Sequence, residues 1–340
     1  MEVIAASRGG PRSSLLRIAE RVRFGAVALG TGRLDVALTD GELTVLSRLS
    51  EPLDVRVGPE AVVGRIVELL GKLRAEAGLS RLAGVGVALP APVAVREGSP
   101  VSPPALPGWH HFPTRDAIAA ELGCPVQVDN DANVMALGEL HAGTGRAFDD
   151  FLYLKLGSAI GCGLMLGGAL YRGATSGAGD IGHLRLTDDG PLCVRGNNGC
   201  LEAYCGDGAV VREALAAAQA GRSAALGARV AEAGTLTMSD VAQAATGGDA
   251  TAQELVRDGA RRLGHVLVGL VSFFNPAIVI IGGAAPGIGP ILLAEIRGVV
   301  YRRSTPLATG SMPIVLSDLD DRAGLVGGAR LVSDQVFAAR

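Results

Sequence analysis

The sequence predicts a two-lobed α/β fold, on three observations. Its 340 residues exceed the usual span of one compact domain. Apolar residues make up 48% of the chain, enough for a sizeable core in each lobe. A pattern of strands, crossover helix and strand occurs once in each half. The 49 glycines fall in clusters, which suggests turns that approach a ligand rather than disorder.

Residues 1–20 are polar and punctuated by Ser7-Arg8-Gly9-Gly10-Pro11-Arg12, so they read as a linker. Short β-type runs follow at Phe24 to Leu29, Leu34 to Leu38 and Leu43 to Leu49, separated by Gly30-Thr31-Gly32 and by the hairpin signal Asp40-Gly41. Val62, Ile66, Leu69, Leu70 and Leu73 recur at helical spacing, which predicts a helix from Glu60 to Ala77 ended by Gly78. A buried strand at Val85 to Leu89 comes next, then a helix at Thr114 to Leu122 with Thr114 as N-cap, then a strand at Pro125 to Val128. Asn130-Asp131-Ala132-Asn133 opens a helix running to about His141, and residues 21–142 form the first lobe.

The second lobe, residues 143–320, begins with a glycine-studded hairpin at Phe151 to Leu156 and Ile160 to Leu166. A polar loop occupies 168–200. Helices are predicted at 207–220, 239–246, 250–274 and 288–298, with strands at 278–281 and 313–317. The closing helix, 321–337, is assigned back to the first lobe. The long helix 250–274 suits either the core or a subunit face.

Composition excludes several classes. Lys plus Arg total 31 against 34 Asp plus Glu, a net charge of −3, which argues against binding nucleic acid by bulk charge. No apolar run approaches the roughly 20 residues that span a bilayer, and the N-terminus has no signal-like apolar stretch, so a cytoplasmic protein is expected. Five cysteines in a chain this long are no disulfide scaffold. Cys124 and Cys162 read as buried thiols, and Arg172 as an ordinary loop charge.

Two constellations carry chemistry. Asn130-Asp131 falls where a strand ends and a helix begins, the place where α/β sheets gather ligands, though a first-turn acid also stabilises a helix dipole. The loop holds His183, Cys193 and Cys200 among glycines, resembling an incomplete zinc site; a water or Cys205 would supply the fourth ligand, and ordinary buried thiols are the other reading.

Taken in order, Asn130-Asp131-Ala-Asn133, Asp180-x-Gly-His183 and Cys193-x-x-Gly-x-x-Gly-Cys200-x-Glu202 resemble the ROK family of sugar-responsive repressors, open reading frames and sugar kinases. Leu156-Gly157-Ser158-Ala159-Ile160-Gly161-x-Gly163, Gly282-Gly283 and Pro103-Pro104-x-x-x-Gly108-Trp109 match too, so the resemblance covers about residues 22–335. It implies the actin-like, ribonuclease H-like fold of sugar kinases and heat-shock ATPases, with sugar and nucleotide meeting in a cleft between the lobes.

The resemblance assigns sugar binding to Asn130, Asp131, Asp180, His183 and Glu202, with Asp131 the general base where a member is a kinase. Asp180 stands where Glu is usual, and Ser102 where Asn is usual. His110 and His111, beside Trp109, read as a rim loop packed on the core. The nucleotide residues would be Gly30, Gly157, Ser158, Gly161, Gly282 and Gly283. The family's first phosphate motif, Asp-x-Gly-Gly-Thr-Lys, is here Ala28-Leu29-Gly30-Thr31-Gly32-Arg33. Ala28 removes the acid that organises the phosphate-bound metal, and Thr31 crowds the phosphate approach. A register that makes Asp35 the acid breaks the glycine alignment. The expectation is a vestigial nucleotide site with ATP and magnesium unused.

In the family's zinc motif Arg195 replaces the middle cysteine, which leaves His183, Cys193 and Cys200; a cation there would pair with the thiolates or accompany loss of the metal. Val3-Ile4 is similar to the last strand of a repressor's wing, and Ser7 to Ile18 to the linker after it. The implied protein is therefore the sugar- or amino-sugar-binding part of a regulator without its winged helix-turn-helix. It would form a homodimer or homotetramer and bind neither DNA by itself nor membrane. An ATP-dependent hexose or N-acetylhexosamine kinase, and an ATP-independent sugar-converting enzyme, are the alternatives.

Overall fold

The computed structural model describes Glu2–Val3, Leu16–Arg17 and residues 22–283 and 288–338. Strands β1 (Glu2–Val3) and β2 (Leu16–Arg17) pair antiparallel, Glu2 opposite Arg17. The rest of the linker-like segment, including Ile4, lies outside the described residues. Two units divide the chain: Met1–His141 with Asp321–Arg340, and Ala142–Asp320.

The first unit is built on β3 (Phe24–Leu29), β4 (Arg33–Thr39), β5 (Val45–Pro52) and β6 (Gly84–Leu89), with a small β7 (Val93–Ala94) and β8 (Ser99–Pro100) ribbon, and β9 (Val126–Asn130). Its five-stranded sheet runs in the order β5-β4-β3-β6-β9, antiparallel through β3 and parallel beyond it. Gly84–Leu89 is buried along its whole length, as a strand covered on both faces must be. Helix α1 (Pro59–Glu76) covers one face with Val62, Ile66, Leu69, Leu70 and Leu73, packed on Val27, Leu34, Val36 and Val87. Each such side chain contributes about 1.5–3 kcal/mol of burial.

Helix α2 (Thr114–Leu122) differs at its start from the sequence reading. Pro113, not Thr114, is the N-cap, because the buried Thr114 hydroxyl donates backward to the Phe112 carbonyl, 3.3 Å away. Helix α3 (Asp131–Ala142) follows β9 without an intervening residue. The closing helix, Arg322–Phe337, covers the other sheet face with Leu325, Ala329 and Val332 against Phe24, Ala26 and Ala37. Its backbone comes so near that a Cβ on Gly86 would meet the Gly328 carbonyl, and one on Gly327 the Val134 carbonyl.

The second unit repeats this plan. Its strands are β10 (Phe151–Lys155), β11 (Gly161–Leu166), β12 (Ala169–Leu170), β13 (Ile278–Gly282) and β14 (Ile314–Leu316), ordered β12-β11-β10-β13-β14. Again the hairpin side is antiparallel and the far side parallel. The same 3-2-1-4-5 strand order in two successive units is the plan of the actin-like ATPase fold. The helices are α4 (Leu201–Cys205), α5 (Asp207–Gln219), α6 (Ala224–Ala233), α7 (Met238–Thr246), α8 (Ala250–Phe274), α9 (Gly289–Arg303) and α10 (Pro306–Thr309). Helix α8 belongs to the core of its own unit: Leu263, Leu267 and Val271 pack with Leu152, Leu154, Val279 and Ile296. Helices α4, α6 and α10 are additions to the sequence reading.

Candidate functional site

In the first unit the strand-to-helix junction is a tight polar network. Asn130 Oδ1 accepts the Ala132 N–H at 3.0 Å and caps α3, while Asn130 Nδ2 donates to the Ala91 carbonyl at 3.0 Å. Asp129 Oδ1 accepts the Asn130 N–H at 2.7 Å and the Asn133 amide at 3.0 Å. Asp131 is buried, and its Oδ1 accepts the Ala132 N–H at 2.8 Å. Three backbone or amide donors thus fix Asn130 and Asp129, so the pair Asn130-Asp131 is held by its own turn.

In the second unit Glu202 is buried at the start of α4, and its Oε2 accepts the Ile160 N–H at 3.1 Å. Gly182 is a glycine for want of room: a Cβ there would stand 2.5 Å from the Ile160 carbonyl and 3.1 Å from Glu202 Oε2. His183 follows at the end of a short 3-10 turn, Ile181–His183. Asp180 precedes that turn and is exposed, with its Oδ2 3.0 Å from an Arg195 guanidinium nitrogen.

His183, Cys193 and Cys200 meet: one donor atom from each lies within 4.8 Å of the others. His183 Nδ1 is buried without a hydrogen-bond partner. Burial works to raise the Cys193 thiol, but the Arg195 and Asn197 N–H groups and the Cys200 thiol outweigh it and bring it below the ordinary thiol range. Burial and the Cys193 neighbour push Cys200 up. An imidazole and two thiols suit zinc, so the residues fit three of its four ligands. Among the described residues no fourth His, Cys, Asp or Glu joins the group. Cys205 does not: its thiol faces the Gly259 carbonyl at 3.4 Å, and burial pushes it up to about 12. Arg195 pairs with Asp180 rather than with the thiols, because a carboxylate within reach is the better partner for a guanidinium. Were zinc bound, it would fix the 183–200 loop beside Glu202.

The glycines assigned to phosphate cluster by unit. Gly30 closes the β3–β4 hairpin through its N–H to the Arg33 carbonyl at 2.8 Å. Gly157 and Ser158 lie in the β10–β11 turn and Gly161 opens β11 opposite Lys155, while β13 brings Gly282-Gly283 alongside, with the Leu156 N–H on the Gly282 carbonyl at 2.8 Å. Gly283 has φ +75°, and a Cβ there would meet the Leu156 carbonyl. Next to this turn a pocket is lined by Leu156, Asp207, Val210, Met238, Val256 and Leu292, and burial raises the Asp207 carboxyl.

Beside the β3–β4 hairpin of the first unit lies an ion-pair group that sequence reasoning did not assemble, having set Asp35 aside on register alone. Asp35 lies across the ladder from Ala28, buried, with its carboxylate 3.0 Å from Arg33 Nε and 2.8 Å from Arg48. Arg48 also reaches Asp321 at 2.6 Å, and Arg33 reaches it at 3.5 Å. Mutual hydrogen bonding lowers Asp321 and raises Arg48.

Comparison with known proteins assigns the lineage. The ROK family profile matches residues 24–335. The chain belongs to the ROK family. Regulators and kinases of that family are both similar to it. It is 28% identical to a putative xylose repressor of Caldicellulosiruptor sp., over 98% of this chain and 84% of the repressor. A crystal structure of a ROK family transcriptional regulator, a homologue of the Escherichia coli MLC protein, superimposes with a TM-score of 0.83 at 25% identity, covering 96% of this chain and 81% of the other. The ROK family glucokinase of Streptomyces griseus, solved with glucose and AMPPNP, gives 0.77 at 29% identity, over 91% and 98%.

Within this ROK chain no helix among the described residues is long and apolar enough to cross a membrane. The rim residues also find places: Trp109 is buried against Phe112, while His110 and His111 are exposed with ring centroids 4.0 Å apart. Ser102, with φ +44°, gives its N–H to His110 Nδ1 at 3.1 Å. The Arg195–Asp180 pair joins two residues of the 180–200 loop that lie 15 positions apart.

Proposed function

We propose that this chain is the sugar-binding part of a ROK regulator and does not turn over ATP. Asn130, Asp131, His183 and Glu202 are the residues proposed to take sugar hydroxyls; backbone N–H groups hold the first two and Glu202 in place. The observation that carries the loss of turnover is the engagement of Asp35. Its carboxylate is the acid nearest in register to Ala28, and Arg33 and Arg48 both hold it. Two guanidinium groups on one carboxylate leave little negative charge for magnesium, and phosphoryl transfer depends on that charge being neutralised by metal. The test is calorimetry with hexoses and amino sugars, with and without MgATP, beside an assay for sugar phosphate. Saturable sugar binding without phosphorylation is expected; phosphorylation at ordinary kinase rates would overturn the proposal.

One observation favours a kinase instead. The Asp35 side chain leaves the sheet on the same face as residue 28, so a rearrangement of Arg33 and Arg48 would free an acid close to where the family carries one. Asp131 would then be the base, and Asp131→Asn would abolish phosphorylation while leaving sugar binding nearly unchanged.

A further inference from the structure

Building on the reading that this chain does not turn over ATP, we propose that Asp207 is the residue that keeps a nucleotide's polyphosphate out of the second unit: it places the chain's own carboxylate where a phosphate would come to rest against the β10–β11 turn. The turn itself is bare enough to receive an anion. Gly157 and Ser158 connect the two strands, Gly161 opens β11, and Gly282-Gly283 run alongside at the end of β13. Backbone without side chains is what lets phosphate oxygens approach peptide N–H groups. Lys155 ends β10 opposite both Gly161 and Gly282, so a cation stands at the same level.

Helix α5 closes this place. Asp207 is its first residue, and the Asp207 N–H donates to the Gly157 carbonyl at 3.0 Å, so the acid is anchored to the turn by its own backbone. Gly206 before it is nearly as close: a Cβ there would stand 3.6 Å from the Ser158 carbonyl. Asp207 lines the adjoining pocket with Leu156, Val210, Val256 and Leu292, whose apolar walls thin the water that would screen its charge. Burial raises the Asp207 carboxyl while the Lys155 charge lowers it, so the two groups act on each other across the turn. Asp207 therefore offsets the positive charge that a phosphate would use, and repels the phosphate as well. Glu202 brings a second carboxylate to the same turn through the Ile160 N–H. In such partly desolvated surroundings one charge at close range changes a polyanion's affinity by about tenfold or more. A first-turn acid also favours a helix dipole, but that role alone predicts lost stability on substitution and no gain of binding.

The experiment is calorimetry of the full chain with ADP, in EDTA and again with magnesium, on the wild type, Asp207→Asn and Asp207→Glu. Asparagine keeps the shape and removes the charge; glutamate keeps the charge. In EDTA, Asp207→Asn is expected to bind ADP at least about tenfold more tightly than the wild type, and Asp207→Glu no more tightly than the wild type. No gain in Asp207→Asn overturns the proposal. So does an equal gain in both variants, which would make the obstacle one of shape. Magnesium-dependent binding by the wild type that Asp207→Asn abolishes overturns it too, because Asp207 would then hold the ion. Turnover is read separately, as sugar phosphate formed from ATP. Phosphorylation by the wild type ends the reading of a chain without turnover, whereas failure of Asp207→Asn to gain ADP leaves that reading standing and removes only the part given to Asp207.

Discussion

Asp35 is the cross-strand partner of Ala28: the two residues face each other in the antiparallel β3–β4 ladder, and their side chains leave the same face of the sheet. Ala28 therefore has an acidic neighbour one strand away, and that neighbour is locked between two arginines.

Arg48→Ala takes one guanidinium from the buried Asp35 and one from Asp321. It is expected to lower stability by about 1–3 kcal/mol, the cost of leaving a buried charge with half its pairing. Urea unfolding at neutral pH measures it, and an unchanged midpoint would show that Arg33 alone holds the carboxylate.

Asp240 caps α7 in a box with Thr237. The Thr237 hydroxyl and N–H, then Arg229, hold its carboxyl down at about 2 against an ordinary 3.8. A depressed folded value stabilises the protein above the unfolded value. This contribution is present above about pH 4 and fades as the pH falls toward 2. Asp240→Ala should cost about 1–2 kcal/mol at neutral pH. Thermal scans against pH should then show a flatter acid limb than the wild type's.

Gly86 and Gly327 mark where the closing helix touches the first sheet and α3 backbone to backbone. A methyl group at either position meets a carbonyl oxygen that cannot rotate away. Gly86→Ala and Gly327→Ala should each destabilise by about 1–3 kcal/mol. Gly71→Ala, on α1 with open space around it, should not.

For sugar binding, Glu202→Gln is expected to weaken calorimetric affinity about ten- to a hundredfold, the worth of one charged hydrogen bond. Asp131→Asn should weaken it as well if the chain is a pure binder. Affinity unchanged in Asp131→Asn, together with lost phosphorylation, would favour the kinase.

The strands and long helices were legible because each carries an unambiguous period: Val62, Ile66 and Leu69 on α1, Ile278 to Ile281 on β13. Helix α6 escaped because half of its residues are alanine and only Leu226 is buried, so there is no apolar stripe to count, although Ser223 and Gly234 bracket it as caps. The Thr114 reading failed because a hydroxyl donates as readily as it accepts. At the site, the motif residues could be named singly from the sequence. The partner of Arg195 could not, since Asp180 is 15 residues away and only the loop's fold brings them together. Arg48 and Asp321, 273 positions apart, show the same limit at greater distance.

The return of the last helix to the first sheet sets an order on biogenesis. A ribosome must emit the whole second unit before the segment that covers Phe24, Ala26 and Ala37 is released. Until that helix emerges, Phe24, Ala26 and Ala37 wait with one apolar face wet, and a nascent chain stalled near Asp320 would present that face to chaperones.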